Sequence, residues 1–200
     1  MCSDTYKTLA STGSSKFTDR RSRFLGFASS ACSADEARAI LKRYRAEYAD
    51  ARHVCWAYMI GPQRQEWQQS DDGEPSGTGG KPILGQINSA GITNVVVAVA
   101  RYFGGIKLGV PGLIAAYREA AALAIEAAGI EELHQMRRID ITFQYENADK
   151  VMRIIKGDDV KILEKSFDNM CHARVEYRLD LAQEIEGRIS AIEGTSLDEA

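Results

Sequence analysis

The stretch Val95-Val-Val-Ala-Val-Ala100 is the most apolar in the chain, and it constrains the fold more than any other. Uninterrupted apolar residues of this kind suit a strand buried on both faces, expected over Ile92–Ala100. Two glycine-rich segments flank it. Ser70-Asp-Asp-Gly-Glu-Pro-Ser-Gly-Thr-Gly-Gly-Lys-Pro82 precedes it, and Arg101-Tyr-Phe-Gly-Gly-Ile-Lys-Leu-Gly-Val-Pro-Gly112 follows. A buried strand between two charged glycine loops is the natural place to look for a site.

Around this centre the pattern alternates strand and helix. Phe17, Phe24, Leu25 and Phe27 suggest two short strands turning near Asp19–Ser22, and residues 1–15 read as a flexible N-terminus. Ser33-Ala-Asp-Glu36 is a capping box in which the Glu36 side chain reaches back to the Ser33 amide. It opens a helix with Ala37, Ile40, Leu41, Tyr44 and Tyr48 on one stripe. Lys42, Arg43 and Arg45 lie off that stripe, as a solvated face or an RNA contact. His53–Ile60 is a strand with His53, Cys55, Ala57 and Met59 on one side and Val54, Trp56, Tyr58 and Ile60 on the other. A partner strand is expected near 64–69, a short helix over 79–88 with Pro82 in its first turn, and a long Ala-rich helix over 111–128 ended by Gly129.

The pattern changes near Met136, which divides the chain into residues 16–135 and 136–200. In the second part Ile139, Ile141, Phe143 and Tyr145 alternate with polar residues, as do Ala173, Val175, Tyr177 and Leu179. Helices are expected after Asn147 and after a second capping box, Asp180-Leu-Ala-Gln183. The order β-α-β-β-α with a short last strand is the ferredoxin-like split arrangement. The fold class is therefore α+β.

Several functions are disfavoured at once. No apolar run is long enough to span a bilayer, so no membrane role is expected, and the polar N-terminus lacks a signal-peptide core. Cys2, Cys32, Cys55 and Cys171 are widely spaced with no Cys-x-x-Cys pair, which speaks against zinc and a disulfide framework and for a reducing cytoplasm. Net charge is −3, with 15 basic against 14 acidic residues up to 135 and 10 against 14 beyond. Any RNA surface is therefore a local basic patch, and nothing points to DNA specificity.

The loops carry the candidate chemistry. Asp71, Asp72 and Glu74 place three carboxylates within four residues. They either hold a divalent cation, with Mg²⁺ the candidate, or satisfy loop amides and cap the next helix. Gly73, Gly77, Gly79 and Gly80 allow close approach by a phosphate or by another piece of backbone, with Thr78 among them and Lys81 at the helix start. In the second loop Gly104-Gly105, Lys107 and Gly109 follow Arg101, at a helix N-terminus suited to anions. Tyr102 and Phe103 either stack a base or belong to the core, and Arg101 either meets phosphate or pairs with Asp71 or Asp72. His53 is either a base or ligand beside Cys55, or a buried and satisfied histidine.

The motifs His53-x-Cys-x-Ala-Tyr58, Ser70-Asp-Asp-Gly-Glu-Pro-Ser-Gly-Thr78, Pro82-Ile-Leu84, Arg101-Tyr-Phe-Gly-Gly-Ile-Lys-Leu-Gly109, Gly112-Leu113 and Ala116-Tyr117 together resemble the YigZ/IMPACT family. The resemblance covers residues 16–130, with a weaker likeness in the tail. It implies a first domain like the second domain of ribosomal protein S-five, a sheet with two helices on one side, and a ferredoxin-like second domain. This pair resembles the last two domains of elongation factor G, which touch ribosomal RNA. Eukaryotic members act in translational control through an extra N-terminal domain that this chain lacks. Val54, Val110-Pro111 and Ala115 depart from the family pattern, and Ala115 removes a positive charge beside the second loop.

These readings converge on a non-enzymatic RNA- or ribosome-associated protein of translation regulation or stress response. Lys81, Arg101 and Lys107 would meet phosphate in one pocket or ridge. The rivals are a metal-assisted enzyme acting on a nucleotide or phosphorylated small molecule, and a purely structural knot of loops with a protein partner bound elsewhere.

Overall fold

The structure, a computed structural model, describes residues 4–168 and 170–200. The chain divides into two compact units, 6–133 and 134–200, with Asp4 and Thr5 belonging to the second. The expected boundary at Met136 falls two residues later than the observed one. Residues 5–15, expected to fray, instead hold strand β1 (Thr5–Leu9) and the start of β2 (Gly13–Asp19). Residues 1–3 of that expectation lie outside the described residues.

The first unit is built on β2, β3 (Ser22–Ser30), β4 (His53–Ile60), β5 (Glu66–Ser70) and β6 (Val95–Tyr102). They form one antiparallel sheet in the order β2-β3-β6-β4-β5, which puts the apolar run on the central strand. Alternation then sends its side chains to two cores. Val95, Val97 and Val99 join Cys55, Ala57 and Met59 under α2 (Gly80–Ala90) and α3 (Gly109–Ala128). Val96, Ala98 and Ala100 join Val54 and Tyr58 under α1 (Ala34–Glu47). The two helices expected on one side are therefore joined by a third on the opposite face.

Local chemistry sets the element ends. The Ser33 hydroxyl accepts from the Glu36 amide at 3.2 Å, while the Glu36 carboxylate accepts from the Cys32 amide at 2.8 Å, one residue earlier than the capping box predicts. α3 lies close on the sheet because Gly26 faces it. A Cβ at Gly26 would sit 2.5 Å from the Ala120 carbonyl oxygen. β1 pairs with β7 (Ile130–His134) in a two-stranded ribbon, which the polar sequence of 130–134 did not signal.

The second unit contains β8 (Met136–Phe143), α4 (Ala148–Ile155), β9 (Val160–Phe167), β10 (Cys171–Arg178), α5 (Ala182–Ser190) and β11 (Thr195–Glu199). Its sheet is antiparallel in the order β11-β8-β10-β9, over a core that includes Ile141, Phe143, Val175 and Tyr177. Both expected caps here are replaced by other contacts. Asn147 donates instead to the Glu193 carbonyl at 2.8 Å, and Asp180 accepts from Arg178 at 2.5 Å. Each of these helices is entered through a 3₁₀ turn, which supplies the backbone partners a side-chain cap would have given.

Candidate nucleic-acid interface

The first glycine loop is held by its own carboxylate. Asp71 Oδ1 accepts from the Gly79 and Gly80 amides at 2.9 and 2.8 Å, and Oδ2 from the Gly77 amide at 2.8 Å. Burial pushes this carboxyl up, but the three amide bonds outweigh it and hold it below the usual range. Asp71 thus occupies the N-terminus of α2 that a phosphate would have used. The glycines fit the same purpose: a Cβ at Gly79 would meet Cys55 Sγ at 2.4 Å, and one at Gly80 the Ser70 backbone at 2.8 Å. The close approach foreseen for a phosphate is made by the protein. Thr78 closes the turn by donating to the Pro75 carbonyl at 2.6 Å.

The remaining two carboxylates diverge. Asp72 Oδ2 accepts from the Val54 amide at 2.7 Å and lies 3.5 Å from Arg45. Glu74 is buried and accepts from Arg101 at 2.6 Å and from the Tyr117 hydroxyl at 2.9 Å. Among the described residues no group of three His, Cys, Asp or Glu side chains converges as a metal site. The chemistry of these three carboxylates therefore does not fit Mg²⁺. Arg101 does pair with a loop carboxylate, but with Glu74 rather than with Asp71 or Asp72.

Arg101 is an interior residue. Its side chain is 8% exposed, and its guanidinium carbon lies 5.6 Å from the ring centre of Phe24 and 5.7 Å from that of Phe103. Its Nε is buried and has no hydrogen-bond partner among the described residues. Burial raises the Tyr117 hydroxyl, with Cys55 and Glu74 adding to the shift, so it stays a donor. Burial likewise pushes the Cys55 thiol up, and this thiol donates to the Asp71 carbonyl at 3.0 Å. A protonated, buried thiol is a poor nucleophile. His53 Nδ1 donates to the Asp72 carbonyl at 2.7 Å, which fixes the ring beside Gly73.

The predicted cations do not share one pocket. Lys81 lines a cleft of about 710 Å³ together with Arg118, Gly77 and Ser89. Arg101, Lys107 and Gly109 line a different cleft of about 470 Å³, with Arg52, His53, Glu74 and Phe103. Tyr102, next to Arg101 on the strand, points to the opposite sheet face. There its hydroxyl donates to Asp50 at 2.7 Å under the guanidinium of Arg23. Gly104 is a packing residue, since a Cβ there would sit 2.0 Å from the Arg21 backbone, whereas Gly105 is open. Phe103 is 47% exposed.

That contact of Gly104 reveals what reading the sequence missed. The turn Asp19-Arg20-Arg21-Ser22 between β2 and β3 lies against the second loop, and Arg52 lies beside the end of β6, where its amide donates to the Arg101 carbonyl at 3.2 Å. One end of the sheet thus gathers Arg20, Arg21, Arg52 and Lys107, all exposed, with Arg23 over Tyr102 on the opposite face, and Phe103 shares its cleft with Arg52 and Lys107. Among the described residues none of these five forms an ion pair. The sequence signal was there, in Arg20-Arg21-Ser-Arg23.

Comparison with known proteins adds a second kind of evidence. The Impact N-terminal domain family model matches residues 20–125. IMPACT family member YigZ of Escherichia coli (strain K12) is 31% identical over 158 residues, which cover 78% of each chain. The IMPACT family member in pol 5'region of Thermus thermophilus is 49% identical over 109 residues, 54% of this chain and 58% of that protein. A crystal structure described only as that of an hypothetical protein is 26% identical. It superposes with a TM-score of 0.74 over 98% of this chain and 97% of its own.

Proposed function

Because the chain belongs to the IMPACT family, we propose that it binds RNA, free or in the ribosome, as a non-enzymatic protein of translation regulation or stress response. The observation that carries this reading is the set of five exposed cations, without ion-pair partners among the described residues, at the end of the five-stranded sheet that also carries the exposed Phe103 ring. Phosphates supply the counter-charges and Phe103 a surface on which a base can stack. The resemblance to a family whose eukaryotic members act in translational control supports the setting. On the same reading the first unit is of the ribosomal protein S-five, second-domain type, and the second unit, by its strand order, is ferredoxin-like.

The open sheet face of the second unit is a poor rival surface. Its charges neutralise one another through Arg174–Asp140 at 2.9 Å and Arg138–Glu176 at 2.6 Å, and the Arg174 hydrogen bonds hold the Asp140 carboxyl below the usual range against an opposing effect of burial. The metal-assisted alternative lacks convergent carboxylates among the described residues.

The test is fluorescence anisotropy with single-stranded RNA across a salt series. Four or five phosphate contacts give a slope of log K against log salt of about −3. The triple variant Arg20→Ala, Arg21→Ala, Arg52→Ala is expected to flatten that slope by about 2. A slope that does not change in the variant overturns the assignment.

A further inference from the structure

The N-termini of the two helices that share one face of the first unit's sheet are treated differently. That of α2 is filled by Asp71. That of α3, a 20-residue helix, has no side-chain cap at Leu108 and no acidic residue in its first turn. Leu108, Gly109 and Val110 at this start line the cleft of about 470 Å³, a volume within the about 300–1,000 Å³ common for small-molecule sites. An uncapped helix start attracts anions but is not by itself a site.

A second observation points the same way. Arg101 also lines the cleft, its side chain is more than nine-tenths buried, and among the described residues its Nε has no partner. Its guanidinium stands between Glu74 and Phe103, which line the cleft as well. Three cations, Arg52, Arg101 and Lys107, face it against one carboxylate, Glu74, and leave a charge of +2. Glu74 is already committed to Arg101 and Tyr117. The exposed Phe103 ring and apolar Leu108 and Leu113 complete the wall, so the site pairs a cationic corner with a flat apolar surface.

We propose that this cleft binds a phosphate monoester carried on a flat ring, that is, a nucleotide with a terminal phosphate. The dianionic phosphate matches the +2 corner and the α3 amides, and the base lies on Phe103. His53 Nδ1 donates to the Asp72 carbonyl, which leaves Nε2 as an acceptor for a hydroxyl or N–H of the ligand. The nucleotide is either free or the 5′ end of an RNA. In the second case the proposal rests on the RNA reading above, and in the first it stands apart from it.

The full chain is titrated calorimetrically with inorganic phosphate, AMP, GMP, and a hexanucleotide RNA in 5′-phosphorylated and 5′-hydroxyl forms. Expected is an approximately tenfold preference for the 5′-phosphorylated RNA, or saturable AMP or GMP binding that inorganic phosphate competes away. Lys107→Ala and Phe103→Ala, both at exposed positions and checked for folding by circular dichroism, each weaken that binding about tenfold. Mononucleotide binding without any oligonucleotide binding upholds the cleft and overturns the RNA reading. Equal affinity for the two RNA ends, with no binding of phosphate or mononucleotide, overturns the cleft and leaves the RNA reading standing. Affinity untouched by both substitutions also overturns it.

Discussion

Asp71 replaces solvent for three amides, two of them at the start of α2, and its loss leaves them without an acceptor. Asp71→Ala is expected to cost about 1–2 kcal/mol in urea denaturation. Because the folded carboxyl titrates below its unfolded value, its contribution is complete above the unfolded pKa of about 3.9 and disappears as pH falls through the folded value. The gap between the natural protein and the variant should thus be constant above about pH 5 and close below about pH 4. A gap that persists in acid would show that Asp71 acts through something other than its charge. Glu74 is the more costly position. Glu74→Gln leaves the buried Arg101 charge without its partner and should cost about 3–5 kcal/mol, whereas Glu74→Leu with Arg101→Met should recover most of that loss. Equilibrium unfolding of the two variants decides between a charge effect and a packing effect. The residue types of the site were legible in the sequence, and their partners were not. Nothing in the spacing of Asp71, Asp72 and Glu74 says which one will face inwards, because that depends on where β6 carries Arg101 across the sheet.

At the scale of elements the hydrophobic period did most of the work. β4 has the bounds the alternation gave, and the apolar run is the central strand with a core on each face. Strands were missed where pairing is made by polar residues, as in β1 and β7, since such strands carry no apolar alternation to read. Caps in the second unit were overestimated because 3₁₀ turns compete for the same backbone groups. The glycines offer a paired test. Gly85 lies in α2 with nothing within 4 Å of an added Cβ, so Gly85→Ala should raise stability by about 0.5–1 kcal/mol. Gly26→Ala would press a methyl into the Ala120 carbonyl and drive α3 from the sheet, with a loss of about 1–3 kcal/mol. Thermal melts of the two variants should move in opposite directions.

At the scale of the whole molecule each unit has a core of its own, so residues 4–135 are expected to fold alone and unfold in one cooperative step by circular dichroism. This fragment retains all five rim cations, and its salt slope for RNA should match that of the full chain. A much smaller slope would assign the contacts to the second unit. The change of pattern at Met136 lies two residues from where the compact units part, while the membership of Asp4 and Thr5 in the second unit had no sequence signal, because it rests on contacts such as Asp4–Arg178 at 3.2 Å that no local pattern encodes. Among the described residues no helix is long and apolar enough to cross a membrane. The β1–β7 ribbon also has a consequence in time. β1 pairs as a ribbon with a strand made about 120 residues later, an interval on the order of 10 s at ordinary elongation rates. During that interval β1 is a nascent edge without its mate, and it is the polar character of Thr5-Tyr-Lys-Thr8 that keeps such a waiting strand from finding a wrong one.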